Sequence, residues 1–195
     1  MPEVFKSFNH KVAGIFNSGG VGIIPTDTIY GICGQALNKS VVCKIYKLRR
    51  RSPKKPMIVL IASAGDLKLF GIKISAKMKN ILNKAWPGKV SVVLPCRNKE
   101  YTYLHRGTQT LAFRLPKNKK LIKLLKNTGP LVAPSANWEG FSVSININQA
   151  KKYFGTVVDF YVDAGIKKSS PSALIEIKTD GINILREGGR WLRGA

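Results

Sequence analysis

Short apolar runs, each too brief to be the core of a helix, recur along the chain between amphipathic stretches. They dictate a sheet with helices packed against it. Strand-like segments fall at 21–24, 57–61, 90–94, 110–114, 131–133, 157–162, 173–177 and 182–186. Helical spacing runs over 3–17 (Val4, Phe5, Phe8, Val12, Ile15, Phe16), through Val41, Val42, Ile45, Tyr46 and Leu48, and near 121–125 and 148–154. Ser63 with Asp66 reads as a capping box for a helix reaching Phe70, and Ser75 starts another whose inner face is Met78, Ile81, Leu82 and Ala85. The two kinds of segment interleave without strict alternation, which predicts an α/β fold with a twisted, mixed parallel and antiparallel sheet and flanking helices. No repeat, low-complexity tract or linker interrupts residues 1–195, so a single domain is expected.

What surrounds the strands carries the chemistry. Pro25-Thr26-Asp27-Thr28-Ile29-Tyr30-Gly31 concentrates three hydroxyls and a carboxylate in one short segment. Pro134-Ser135-Ala136-Asn137 repeats the pattern after another strand, and Pro171-Ser172 opens a third. Strand ends are where open α/β sheets bind ligands. The same residue types also build ordinary turns, so both readings stand at this level.

The formal net charge is +23, which favours polyanions through counterion release and long-range steering. Of the 33 basic residues 24 are Lys, many on polar helix faces (Lys119, Lys120, Lys123, Lys126), and a solvated surface explains those without a partner. Two arginine settings are more specific. The loop Arg49-Arg50-Arg51-Ser52-Pro53-Lys54-Lys55-Pro56 crowds five cations together, which calls for a bound anion or abundant solvent. Arg114 sits in the otherwise apolar run Leu111-Ala112-Phe113-Arg114-Leu115, where a buried guanidinium needs a ligand anion or an internal partner such as Asp159 or Asp163.

Several classes are disfavoured. Cys33, Cys43 and Cys96 are widely spaced with no metal-ligand pattern and read as reduced, packed thiols, while His10 and His105 read as surface residues. No metal site and no acid/base residue is assigned. Walker, dinucleotide-binding and nucleophile-elbow motifs are missing. No apolar run reaches the roughly 18 residues that span a bilayer, and no signal segment opens the chain, so a cytoplasmic protein without membrane contact is expected.

Taken in order, Pro25 to Gly31, the basic loop before Pro56, Trp86-Pro87-Gly88, Arg114, Pro134 to Asn137, Pro171-Ser172 and Ile184-Leu185-Arg186 resemble the YrdC/Sua5 family of threonylcarbamoyl-AMP synthases. The resemblance implies a YrdC-like sheet around a basic central cleft, of the short type without the further carboxy-terminal domain of Sua5. It implies a nucleotidyltransferase making threonylcarbamoyl-adenylate and pyrophosphate from L-threonine, bicarbonate and ATP, with Mg²⁺ accompanying the nucleotide. The product would pass to the transferase machinery that forms N6-threonylcarbamoyladenosine in tRNA. By the same resemblance Thr28, Tyr30, Arg114 and Ser172 match threonine-side positions, and Arg49, Arg51, Lys55, Thr110, Ser135, Asn137 and Arg186 match nucleotide-side positions. The chain departs from the family pattern with Arg49 in place of Lys, Ser52 in place of Pro and Leu60 in place of His. An alternative keeps the fold but makes it an RNA-binding module, with the basic surface contacting tRNA or another structured RNA.

Overall fold

The computed structural model describes residues 1–178 and 181–188. Among them, ten strands form one sheet: β1 (Glu3–Phe5), β2 (Gly22–Pro25), β3 (Tyr30–Gln35), β4 (Ile58–Leu60), β5 (Val90–Pro95), β6 (Thr110–Arg114), β7 (Leu131–Val132), β8 (Phe160–Val162), β9 (Ala173–Ile177) and β10 (Ile182–Arg186). Their spatial order is β1-β8-β2-β3-β7-β4-β6-β5-β9-β10. The pairs β1 with β8, β8 with β2, β4 with β6 and β5 with β9 are parallel, and the rest are antiparallel. The mixed sheet is the one the interleaved pattern predicts.

Among the described residues six α-helices flank it: α1 (His10–Asn17), α2 (Lys39–Leu48), α3 (Ala76–Ala85), α4 (Thr102–His105), α5 (Lys119–Thr128) and α6 (Ile147–Phe154). Asn9, Asn38, Asn118 and Asn146 cap α1, α2, α5 and α6 by accepting backbone N–H groups of the first turn, and Ser75 does the same for α3. A chain poor in carboxylates thus caps its helices with neutral side chains. Ser63 and Asp66 form the expected capping box, and the turn they start, Ala64–Phe70, is a 3₁₀-helix.

The amino-terminal expectation needs correction. The helical spacing over 3–17 is split at Asn9, whose extended backbone (φ −137°, ψ −177°) starts α1, while residues 3–5 pair with β8. Phe5 and Phe16 both pack on Phe160, with ring centroids 5.9 and 5.0 Å away, so they share a core through different elements. The sequence pattern predicts no strand over β3, because Gly31 and Gly34 lower its apparent strand character. Packing explains Gly34: a Cβ there would lie 2.3 Å from Val41 Cγ1, so α2 can sit close on the sheet only over glycine.

The two sheet faces are covered unequally. One carries the larger core, to which α2, α3 and α6 contribute Val42, Ile45, Leu82, Ala150 and Phe154. The other is covered in part by α1 and α5, whose Val12, Phe16, Leu121 and Leu124 pack with Ile24, Leu60 and Leu131. Alternation along β6 shows the consequence. Leu111 and Phe113 enter the larger core, whereas Ala112 and Arg114 line a cavity left open beyond α1 and α5. His105 also departs from expectation: it is buried, at 4% exposure, and its Nδ1 accepts from Gly107 N.

Candidate functional site

The cavity, about 270 Å³, gathers Thr28, Arg49, Arg114, Ser135, Ser172 and Arg186 from segments far apart in the chain. Tyr30 and Arg51 also line it, while Lys55, Thr110 and Asn137 stand outside. Segment 26–29 is the turn joining β2 to β3, closed by Thr26 N donating to Ile29 O at 3.1 Å. Turn chemistry and ligand placement therefore coincide there. Thr26 Oγ1 donates its one proton to Ile29 O at 2.6 Å, so in the 3.0 Å pair with Thr28 the donor must be Thr28. Thr28 Oγ1 is left with acceptor capacity toward the cavity.

Arg114 ends β6 with its side chain 4% exposed, and Asp27 Oδ1 stands 3.1 Å from its Nη2. The internal partner is thus Asp27, and neither Asp159 nor Asp163. Asp159 accepts from Val21 N and Lys44, and Asp163 from Lys6 and Gly165 N. Burial pushes the Arg114 guanidinium below its ordinary pKa, and Asp27 opposes that shift. Ser172 Oγ lies 2.9 Å from the buried Ser91 Oγ, and Arg186 donates to Ser172 O through Nε at 3.1 Å and Nη2 at 2.9 Å. The Tyr30 hydroxyl donates to Gly165 O and accepts from Ala164 N, so it fastens the segment after β8.

Across the cavity, Arg49 is 3% exposed and acts as a fork. Its Nε donates to Asn137 O at 3.1 Å, and its Nη2 donates to Ser135 Oγ at 3.1 Å and Asn137 Oδ1 at 3.2 Å. Nη1 is buried with no hydrogen-bond partner among the described residues. Asn137 uses its amide nitrogen on Trp138 O and Phe141 O, so it holds Arg49 and the following turn together. Burial first, then the neighbouring Arg51, lowers the Arg49 pKa to about 10.

The basic loop has an internal counter-ion that the sequence reading missed. Glu139 accepts from Ser52 N at 2.5 Å and from Lys55 Nζ at 2.9 Å, and lies 3.9 Å from Arg51 Nη1. Arg51 also donates to Lys55 O and Pro56 O, which folds the loop on itself, while Arg50 stacks 3.6 Å over the Trp138 ring. A signal was available, since Glu139 is the one acidic residue between Glu100 and Asp159 and lies two positions after Asn137. Thr110 shares a face of β6 with Ala112 and Arg114 but lies at the opposite end of the strand, its hydroxyl donating to Thr108 Oγ1.

Arg49, Arg51, Arg114 and Arg186 all line this one cavity. Burial first, and then the charge of Arg51, lowers the pKa of both Arg49 and Arg186, and an anion in the cavity would oppose both effects. No group of three or more His, Cys, Asp or Glu among the described residues could hold a metal ion, and no helix among them is long and apolar enough to cross a membrane.

Comparison with known proteins bears on this geometry. Residues 14–188 match the family model Sua5_yciO_yrdC, described as "Telomere recombination". The chain is 27% identical over 179 residues to a threonylcarbamoyl-AMP synthase of Pyrococcus abyssi, covering 91% of this chain and 53% of that protein. It is 29% identical over 170 residues to a threonylcarbamoyl-AMP synthase of Nitrosococcus oceani, covering 86% of this chain and 91% of the relative. Its fold is similar to the crystal structure of P. abyssi Sua5 complexed with L-threonine, with TM-score 0.87 and 25% identity, covering 97% of this chain and 58% of that one. The chain thus spans about half the length of the P. abyssi relative, at 53%.

Proposed function

This chain belongs to the Sua5/YciO/YrdC family, and on that premise we propose that it is an L-threonylcarbamoyladenylate synthase. The observation that carries the proposal is the meeting of Arg114 and Ser172 with Arg49 and Ser135 in one cavity. A site for this reaction needs an amino-acid end and a phosphate end within reach of each other. The L-threonine bound to P. abyssi Sua5 supports an amino-acid substrate.

In the proposed reaction the amine of threonine adds to bicarbonate with loss of water, giving a carbamate. A carbamate oxygen then attacks the α-phosphorus of ATP and pyrophosphate leaves. The step needs alignment and charge neutralisation more than a strong side-chain base. Arg114 meets the substrate carboxylate, and Thr28 Oγ1 accepts from the amine. Arg49, preformed by Ser135 and Asn137, presents Nη1 to phosphate oxygens. Arg51 and Lys55 face the departing pyrophosphate after exchanging Glu139 for it, and Arg186 closes from β10. Thr110 extends the nucleotide end along β6. Mg²⁺ would arrive with ATP and take its ligands from phosphate and water, since Glu139 and Asp27 already face cations.

The test is pyrophosphate release that requires ATP, L-threonine and bicarbonate together. Release that proceeds without threonine contradicts the proposal. A protein that instead binds structured RNA tightly, with steep salt dependence and no response to threonine, is an RNA-binding module.

A further inference from the structure

Asp27 is a carboxylate in an unusual position. Thr26 and Thr28 on either side of it line the cavity, yet Asp27 itself does not. Its side chain is 7% exposed and its Oδ1 lies 3.1 Å from Arg114 Nη2. Both Asp27 oxygens and Arg114 Nε are buried without a hydrogen-bond partner among the described residues. A buried ion pair whose hydrogen bonds are incomplete is costly in isolation. On the arginine side of the pair, Nε keeps a donor that an acceptor on a ligand would satisfy. Arg114 lines the cavity and Asp27 does not, so a substrate reaches the arginine and not the carboxylate.

We propose that Asp27 is the positioning residue of the amino-acid end: it fixes the guanidinium of Arg114 from behind so that the free side reads the substrate carboxylate. The inference rests on the synthase reading. The turn between β2 and β3 makes the placement rigid, because Thr26 donates to Ile29 O through both its backbone N–H and its hydroxyl, and Thr28 is tied to Thr26. Asp27 therefore has little freedom to follow Arg114, and Arg114 orients to Asp27. Without the carboxylate, a buried guanidinium beside Leu60 in the sheet loses both its counter-charge and its direction. Asp27 touches no substrate atom, so its loss acts on carboxylate recognition alone.

The experiment compares L-threonine with L-threoninol, which keeps the amine and hydroxyl but lacks the carboxylate, in ATP-dependent pyrophosphate release with bicarbonate. Wild type, Asp27→Asn, Arg114→Ala and the double variant are measured, with thermal melting for each. Asp27→Asn should raise the threonine KM about tenfold, the loss of one charge-assisted contact, and leave the threoninol and ATP KM values within about twofold. The double variant should match Arg114→Ala, since Asp27 acts only through that residue. Asp27→Glu, which keeps the charge and displaces it, should show the same split with a smaller rise and serves where Asp27→Asn does not fold. Equal losses with threonine and threoninol, or a double variant worse than Arg114→Ala, overturn the role of Asp27 while leaving the synthase reading intact. Wild-type protein that needs no threonine for pyrophosphate release overturns both.

Discussion

Glu139 and Lys55 meet at 2.9 Å, and through that contact the segment following Asn137 clasps the basic loop. The Glu139 carboxylate also accepts from Ser52 N, so it sits where loop N–H and ammonium groups converge, much as a phosphate oxygen would. These contacts hold the carboxyl below its ordinary range, chiefly the Ser52 N–H and then Lys55. A depressed carboxylate pKa gives stability that is present above the unfolded value and lost as pH falls through the folded one. Glu139→Gln should therefore melt lower than wild type at neutral pH, and the gap should close below about pH 4. Thermal melting of both proteins across pH 3 to 7 checks this, and a gap that persists at acid pH contradicts it.

Arg49 carries a prediction of its own. Its fork makes three hydrogen bonds to Ser135 and Asn137 that a compact ammonium cannot reproduce together. Arg49→Lys should therefore raise the KM for ATP about tenfold, as expected for loss of one or two charge-assisted bonds. The KM for threonine should stay near the wild-type value. Steady-state kinetics with each substrate varied separate the two, and a rise confined to threonine would put Arg49 on the wrong side of the cavity.

The sheet was legible because its strands are short apolar runs bounded by Pro and Gly, and β6, β9 and β10 fall where those runs lie. β3 was not, because Gly31 and Gly34 serve packing against neighbours that a local reading cannot see. Likewise β1 looked helical, since Phe5 and Phe16 fit one helical face in sequence while reaching Phe160 from two elements. In the site, arginines in apolar or crowded settings signalled themselves through the cost of burying charge. Their carboxylate partners did not: Asp27 is 87 residues from Arg114 and Glu139 is 84 from Lys55. Pairings over such separations follow from topology and not from spacing.

Gly34→Ala tests the packing explanation of β3. The added Cβ would meet Val41 Cγ1 at 2.3 Å, and Val41 belongs to the buried face of α2. Overpacking of this kind costs about 1–3 kcal/mol. The melting temperature should fall by roughly 2–12 °C for a domain of this size. Gly34→Ala combined with Val41→Ala should recover part of the loss, because the smaller side chain vacates the contested space. An unchanged melting temperature in the single variant would mean that α2 shifts freely on the sheet.

Ser91 and Ser172 form the last test, since their hydroxyls face each other at 2.9 Å and Ser91 is fully buried. Ser172→Ala leaves the Ser91 hydroxyl without that partner, which should cost about 1–2 kcal/mol of stability. Removing both hydroxyls removes the unmet need as well, so Ser91→Ala with Ser172→Ala should be more stable than Ser172→Ala alone. Arg186 keeps its two bonds to the Ser172 carbonyl in either variant, so it stays anchored at the edge of the cavity. The KM for ATP should accordingly change less than about twofold, while the KM for threonine rises if Ser172 Oγ serves the amino-acid end. Denaturant unfolding gives the order of stabilities and kinetics gives the split. A double variant less stable than the single one would show that Ser91 draws its stability from partners other than Ser172.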